Sequence, residues 1–162
     1  MKVFVTADTH FNHENIIKYC NRPYKNSYEM NEEIIKKWNE VVSENDIVYH
    51  LGDYGFGTKE ELKDIFNRLN GKKYLIMGNH DYRVGKKYYE DLGFIEVYKN
   101  RYEFDKYIFT QKPILVPLGK INIYGHIHDK PVEKEYDDDN HICVSLDRTN
   151  FKPLYLMNIK ED

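Results

Sequence analysis

The sequence predicts an α/β domain, and three observations favour this fold class. Short apolar runs rich in β-branched and aromatic residues alternate with segments of helical periodicity. The chain has 162 residues, which is the usual size of one domain that buries its own core. No repeat or long low-complexity tract interrupts the pattern. We therefore expect a single domain over residues 1–162.

Each predicted strand is a short apolar run bounded by polar or turn-forming residues. The predicted strands cover residues 3–5, 47–49, 74–77, 107–109, 121–124, 142–146 and 154–159. The acidic stretch 137–139, which lies between the predicted strands 121–124 and 142–146, is predicted to be a solvated turn.

Three helices are predicted between the strands. Ser27 is expected to cap a helix that runs to residue 42, because apolar residues recur there at helical spacing. Thr58 followed by Glu61 is a capping box and predicts the start of a second helix. A third helix is expected over residues 84–92 and should end at Gly93, since glycine suits the left-handed position after a helix.

Composition excludes some classes of protein. The 24 basic and 27 acidic residues give a net charge of −3, so there is no overall basic excess that would indicate nucleic-acid binding. Cys20 and Cys143 have neither zinc nor disulfide spacing and are expected to be buried or half-buried thiols. No signal peptide or membrane-length apolar run is evident. The expected location is the cytoplasm, with no membrane partner.

The residues that carry chemistry follow the predicted strands directly. The motifs are Asp8-Thr9-His10, Gly52-Asp53, Gly78-Asn79-His80-Asp81, Thr110-Gln111-Lys112 and Gly125-His126-Ile127-His128. Loops at the carboxyl ends of strands meet at one edge of an α/β sheet. If the Asp-x-His and His-x-His segments are extended, alternate side chains share a face and point at one ion. Mixed imidazole and carboxylate ligands suit zinc, manganese or iron better than calcium. Each motif alone is more often an ordinary turn, but the ordered set indicates a metal site.

This ordered set resembles the calcineurin-like metallophosphoesterase superfamily, and His10-Phe11-Asn12-His13 is similar to its small bacterial and phage-type members. The match spans residues 8–128. The resemblance implies a sandwich of two mixed β-sheets flanked by helices, with no separate cap domain. It also implies a phosphate-ester substrate and hydrolysis of phosphomonoesters or phosphodiesters through a hydroxide held by two metal ions. Manganese is the first candidate metal, and iron, zinc or nickel are the others.

The resemblance further implies a role for each motif residue. Asp8, His10 and His128 would hold one metal, Asn79 and His126 the other, and Asp53 would bridge the two. His80 would act on the leaving-group side as a proton donor or charge stabiliser, oriented by Asp81.

One residue departs from the family pattern. Where the family has a histidine inside a Ser/Thr-His-x-Pro segment, this chain has Gln111 before Lys112 and Pro113. A glutamine oxygen is a poorer ligand than imidazole for borderline divalent ions. We therefore expect Gln111 to contribute at most a neutral oxygen, and the second metal to be weak, exchangeable or absent.

Other polar residues are candidates for contact with substrate or ligands. His13 and Asn79 are expected near the substrate, and Arg22 is expected to contact phosphate oxygens. Arg148 has the same chemistry but no motif. His50 has two interpretations, a partner that orients a ligand or a hydrogen-bonded core histidine. The fifteen tyrosines and eight phenylalanines are interpreted as core, because they are not interleaved with basic residues.

Three hypotheses follow. The first is a metal-dependent phosphoric ester hydrolase. The second is a binding or scaffold protein that keeps the fold without turnover, which only Gln111 favours. The third is a nuclease, which the charge balance does not support.

Overall fold

The computed structural model describes residues 1–159. The nine strands of this part of the chain are β1 Val3–Thr6, β2 Ile47–His50, β3 Lys72–Ile76, β4 Val97–Tyr98, β5 Arg101–Phe104, β6 Tyr107–Thr110, β7 Ile121–Tyr124, β8 His141–Cys143 and β9 Leu154–Tyr155. Its five α-helices are α1 Glu14–Tyr19, α2 Ser27–Val41, α3 Lys59–Arg68, α4 Asn79–Val84 and α5 Lys86–Leu92.

The strands form two mixed sheets, as predicted. The first sheet has the order β4-β3-β2-β1-β9, in which only β9 is antiparallel to its neighbour. The second has the order β5-β6-β7-β8, in which only the β5–β6 pair is antiparallel. The parallel strands of each sheet therefore deliver their following loops to a common edge.

Successive side chains of the central strands β1, β2 and β3 pack into two different cores, one on each face of the first sheet. Phe4, Val48 and Leu75 face the core formed with the helices, where Trp38 is fully buried. The next residue of each strand, Val5, Tyr49 and Ile76, faces the core between the sheets. Successive strand side chains point to opposite faces, so the first sheet is buried on both sides and is held rigidly beneath the loops.

The helix boundaries correct two predictions and confirm two. Asn26, not Ser27, caps α2, and its side chain accepts a hydrogen bond from the Glu29 backbone N–H. Thr58 forms the predicted capping box at α3. The predicted helix 84–92 is interrupted at Gly85, where φ is 105°. α4 ends at Val84 and α5 begins at Lys86. α5 then ends at Gly93, as expected.

The last two predicted strands are shorter than expected. After β8 and β9 the chain turns into 3-10 helices at Leu146–Arg148 and Leu156–Asn158. Leu146 and Leu156 are buried there by packing and not by strand pairing, which periodicity alone does not distinguish. Both cysteines are free thiols, Cys20 buried and Cys143 half-buried, as predicted. Among residues 1–159, no helix has the length and apolar character that a membrane span requires.

Candidate metal centre

Backbone hydrogen bonds join the loops that follow β1 and β2. The Asp8 N–H donates to the Gly52 carbonyl at 3.0 Å, and the His10 N–H donates to the Asp53 carbonyl at 3.1 Å. The loops after β6 and β7 are joined in the same way, because the Gly125 N–H donates to the Gln111 carbonyl at 2.9 Å. The motifs therefore lie on loops that are tied together in pairs at the sheet edges.

Five of the seven proposed ligand residues share an unusual backbone conformation. Positive φ angles of 50° to 72° occur at Asp8, His10, Asp53, His126 and His128. Non-glycine residues rarely adopt this region, and such strain is concentrated at functional sites. The Asp-x-His and His-x-His segments are thus not extended, and the prediction that they are extended was wrong. Left-handed turns direct these side chains instead.

Two motif glycines allow the loops to approach each other. A Cβ at Gly78 would lie 2.6 Å from Asp53 Oδ1 and 2.9 Å from the Asp53 nitrogen. A Cβ at Gly52, where φ is 105°, would lie 2.8 Å from the Gly78 Cα. Any larger residue would push the two loops apart.

Asp8, His10 and His128 form a buried cluster whose ligand atoms all lie within 4.8 Å of one another. The Asp8 carboxylate accepts hydrogen bonds from Gln111 Nε2 at 3.1 Å and Ser145 Oγ at 2.5 Å. His10 Nε2 is buried and has no hydrogen-bond partner among the described residues. Burial, followed by the nearby charge of His128, lowers the pKa of His10 well below its ordinary value. A neutral imidazole with an unpaired buried nitrogen is what a metal ion requires.

Asp53 lies beside this cluster, with Oδ2 3.8 Å from His10 Nε2. Burial, together with the charges of Asp8 and Asp81, raises the pKa of Asp53 to about 7. Burial lowers the pKa of His128, but the hydrogen bonds that its ring donates to Asp147 and Cys20, together with the charge of Asp8, raise it overall, to about 10. The negative charge of Asp8 contributes to both shifts, beside burial for Asp53 and the Asp147 hydrogen bond for His128, so negative charge in this pocket is unfavourable without a cation.

Three further residues were predicted as ligands, Asn79, Gln111 and His126. His126 is half-buried, and its backbone N–H donates to Asp8 Oδ2 at 2.7 Å. Gln111 is buried, and its Oε1 has no partner among the described residues. Asn79 is the exposed first residue of α4 and shares a cavity with Gln111. The unpaired Oε1 therefore gives Gln111 one free oxygen for a cation.

His80 and His13 lie on opposite sides of one aromatic ring. The His80 ring stacks on Phe56 with centroids 3.7 Å apart, and the His13 ring lies 4.2 Å from the same ring. His13 Nδ1 is also 3.0 Å from His10 Nδ1. Burial lowers the pKa of both His13 and His80. Phe56 was not predicted as a site residue, and its position in a Gly-rich loop was the available signal.

Asp81 does not serve to orient His80 as predicted. Its buried carboxylate accepts the backbone N–H groups of Asp53 and Gly78, both at 2.8 Å, and that of Tyr54 at 3.4 Å. It therefore holds the loop after β2 against the first turn of α4. Asp81 is a positioning residue for Asp53, and the orienting role assigned to it was wrong.

Arg22 also differs from its predicted role. Its side chain is fully buried, and it donates to the carbonyl oxygens of Asp8 and Thr9 at 2.6 and 2.9 Å. Its Nε and Nη2 donate to Asp147 at 3.0 and 3.1 Å, and Nη1 contacts Met30 Sδ at 3.6 Å. All five N–H groups are thereby used. Arg22 supports the Asp8 turn from below and has no donor left for a phosphate.

Asp147 and Ser145 were missed in the sequence. Asp147 Oδ1 lies 2.8 Å from His128 Nδ1, so the carboxylate orients the ring and leaves Nε2 for the cluster. Burial raises the pKa of Asp147, but hydrogen bonds from His128 and Arg22 and the charge of Arg22 lower it overall. Both residues follow an apolar run, as the other motifs do. That signal was lost because the strand was predicted to continue to Leu146.

Arg148 is likewise tied to the backbone. Its Nε donates to the His128 carbonyl at 2.6 Å, and its Nη2 donates to the Lys130 carbonyl. It stabilises the loop after β7 and is not directed at a substrate by these contacts.

His50 is the hydrogen-bonded core histidine of the two interpretations. Its Nδ1 accepts the Gly52 N–H at 3.2 Å, so the neutral ring carries its proton on Nε2, which lies 2.9 Å from Thr9 Oγ1. Thr9 in turn donates to the Tyr54 carbonyl at 2.6 Å. Burial lowers the pKa of His50 to about 3. The ring therefore links the loops after β1 and β2 only while it is neutral.

His50 should make the metal-free chain sensitive to acid. Between pH 6.5 and about 3 the unfolded state binds a proton at His50 and the folded state does not, so the free energy of unfolding falls as the pH falls, by up to about 1.4 kcal/mol per pH unit. The variant His50→Gln keeps a donor for Thr9 but does not titrate. Urea unfolding at pH 7, 5 and 4 should show a shallower decline for the variant. Parallel curves for the two proteins would contradict this assignment.

The donor set fits a divalent cation. It combines carboxylates, imidazoles and two buried atoms that lack partners among the described residues, His10 Nε2 and Gln111 Oε1. The left-handed turns and the raised pKa of Asp53 show that the fold holds these groups together at an energetic cost. Binding of a cation would offset that cost.

The comparisons with known proteins agree with this geometry. Residues 1–158 match the family model described as calcineurin-like phosphoesterase. An uncharacterized protein of Methanocaldococcus jannaschii is 39% identical over 161 residues, covering 96% of this chain and 87% of that protein. A crystal structure of a protein of unknown function from Aquifex aeolicus has a TM-score of 0.74 at 25% identity and covers 94% of both chains.

A more distant structure supports the fold alone. The nuclease MPE of Pseudomonas putida has a TM-score of 0.57 at 22% identity, over 78% of this chain and 61% of that one. The family match over nearly the whole chain and the closely related M. jannaschii sequence lead to one conclusion. The chain belongs to the calcineurin-like phosphoesterase family.

Proposed function

We propose that the protein is a phosphoesterase that hydrolyses phosphomonoesters or phosphodiesters with two divalent cations, with manganese the first candidate and iron, zinc or nickel the others. One observation carries the proposal. The ligand atoms of Asp8, His10 and His128 converge within 4.8 Å, and the buried His10 Nε2 has no partner among the described residues. Family membership supports phosphate-ester hydrolysis as the reaction.

The residues divide into two sets. Asp8, His10 and His128 would hold one cation, and Asn79, His126 and Gln111 Oε1 would hold the other. Asp53 would bridge the two sets, and its carboxylate lies 3.8 Å from His10 Nε2 of the first set. Bound cations of this kind supply an activated water and neutralise charge on the phosphoryl oxygens.

His80 is the residue that we assign to the leaving group. Its backbone N–H donates to Asp53 Oδ1 at 3.1 Å, and its ring stacks on Phe56. The ring is therefore held beside Asp53, where a nitrogen can contact a substrate oxygen. Because burial lowers its pKa, the protonated ring is a stronger acid than free histidine and gives up its proton more readily to an alkoxide. His13, on the other face of Phe56, is placed to contact the substrate.

The test is hydrolysis by the metal-stripped chain after manganese is restored. Bis-(4-nitrophenyl) phosphate and 4-nitrophenyl phosphate are assayed in parallel, and bound metal is counted by mass spectrometry. We expect turnover that depends on manganese, and the better ester identifies the substrate class. Two bound cations without turnover of either ester would reject the enzyme in favour of the scaffold hypothesis.

Gln111→His should strengthen the second cation site. An imidazole nitrogen is a better ligand than an amide oxygen for manganese or zinc, so we expect about tenfold tighter binding of the second cation. Isothermal titration with manganese measures the change, and kcat/KM for the preferred ester should rise in parallel.

Gln111→Leu is the matched control, since it fills a similar volume without a ligand atom. It should lose the second cation. Equal manganese affinity in the histidine and leucine variants would show that residue 111 does not contact the cation.

A further inference from the structure

A cavity of about 300 Å³ adjoins the proposed metal centre, and its charged lining is entirely basic. Its lining includes Asn79 and Gln111 of the proposed second cation site. Three of the lining residues, Lys99, Arg101 and Lys112, are cationic, and none is acidic. The chain as a whole carries a net charge of −3, so this wall is opposite in sign to the rest of the protein.

Strand register places the cations beside the metal centre. Arg101, the first residue of β5, pairs with Thr110, the last residue of β6. Gln111 and Lys112 follow Thr110 directly, and the Thr110 hydroxyl donates to the Lys112 carbonyl at 2.5 Å. Arg101 and Lys112 are thus held next to a predicted ligand by the sheet itself.

Tyr82 ties Lys99 to the helix that carries Asn79. Its hydroxyl donates to the Lys99 carbonyl and lies 2.9 Å from Asn100 Oδ1. Tyr82 lies on α4, of which Asn79 is the first residue. The turn that carries Lys99 is therefore hydrogen-bonded to the helix that begins at Asn79.

These cations are not neutralised within the described chain. Arg101 Nη2 approaches Glu103 only at 4.0 Å, and both side chains are about half exposed, so this pair is weak. Lys99 and Lys112 have no ion pair in the part of the chain that the structure describes. All three are available to an anion in the cavity.

We propose that Lys99, Arg101 and Lys112 bind a second phosphate group of the substrate, which makes the preferred substrate a small ester with two phosphate groups. This inference rests on the proposed function, because the first phosphate would lie at the metal centre. Arginine and lysine together suit phosphate oxygens. The cavity matches the lower end of small-ligand pockets, and the negative net charge disfavours a long polyanionic strand as the ligand.

Two chromogenic probes that differ by one phosphate test this. They are thymidine 5′-(4-nitrophenyl phosphate) and thymidine 3′-phosphate 5′-(4-nitrophenyl phosphate). With manganese-loaded chain, we expect kcat/KM to be about tenfold higher for the second probe, which is the gain from one or two charge-assisted hydrogen bonds. In Lys99→Ala/Arg101→Ala that ratio should fall towards one. In Lys36→Ala/Lys72→Ala, which removes the same charge from exposed residues elsewhere, the ratio should stay about tenfold.

A binding measurement separates failure of this inference from failure of the proposed function. Calorimetry compares thymidine 3′,5′-bisphosphate with thymidine 5′-monophosphate on the manganese-loaded chain. If neither probe is hydrolysed but the bisphosphate binds about tenfold tighter, and loses that advantage in the double variant, the second phosphate site stands without the enzyme. Equal binding and equal hydrolysis of each pair, or an unchanged ratio in the double variant, would overturn it. Tighter binding of oligothymidylate than of the bisphosphate would overturn the assignment to a small substrate.

Discussion

Asp53→Asn is expected to lower kcat/KM for the preferred ester by about 10³-fold or more, equivalent to about 4 kcal/mol of transition-state stabilisation. Asp53 is the proposed bridge between the two ligand sets, and an amide has the same shape but no negative charge. The variant should therefore hold fewer cations while it keeps the fold. Steady-state assays and metal counting on the same preparation measure both effects.

The same substitution should stabilise the metal-free protein. Burial and the neighbouring carboxylates raise the pKa of Asp53 to about 7, so ionising it in the folded state is unfavourable. A raised carboxylate pKa means that stability declines as the pH rises from about 4 to 7. At pH 8 we expect the free energy of unfolding of metal-free Asp53→Asn to exceed that of the unaltered metal-free chain by about 2–4 kcal/mol.

Opposite changes in activity and stability distinguish a functional carboxylate from a structural one. Asp64→Asn, on the exposed face of α3, is the control and should change neither quantity. If Asp53→Asn destabilised the metal-free chain, the unfavourable negative charge inferred for this pocket would be incorrect.

Asp147→Asn is expected to have the largest effect on folding. Asp147 is the only carboxylate in the described chain that forms an ion pair with Arg22, whose side chain is fully buried. Removing one partner of a buried pair leaves an uncompensated charge, and the loss is about 3–5 kcal/mol in the free energy of unfolding. Urea unfolding of the metal-free protein measures it.

Asp147→Asn should also weaken metal binding. The carboxylate holds His128 Nδ1 at 2.8 Å, and loss of such a partner typically lowers metal affinity by about 10- to 100-fold. Asp91→Asn, which removes the exposed ion pair with Lys59, is the matched control and should have little effect. Similar losses in the two variants would show that the Arg22–Asp147 pair is not energetically special.

Much of the site follows from the order of short patterns along the chain. Asp8, Asp53, Asn79 and His126 each come just after a buried apolar run, and parallel strands deliver such residues to one edge of a sheet. This argument needs only local periodicity and turn chemistry. It therefore predicted correctly that these residues follow strands, although the observed ends of several strands and helices differ from the predicted ends by a few residues.

Roles that depend on direction could not be predicted in this way. Arg22 and Asp81 were assigned to substrate and to His80, yet both point into the protein and bind backbone groups. Asp147 was not noticed, because its partners Arg22 and His128 are distant in sequence. A polar residue near a motif has the same appearance in a sequence whether it faces solvent or supports a loop from beneath.

The sequence by itself determined the fold class, the paired capping residues of α3 and the set of metal-type loops. Each of these depends on neighbours within a few positions, so periodicity and spacing carry the information. Only the tertiary structure decided the left-handed turns at Asp8 and His128, the burial of Arg22 and the cationic cavity beside Gln111. Those features arise where segments separated by many residues pack together, and the free energy of burial and hydrogen bonding there depends on all the partners at once.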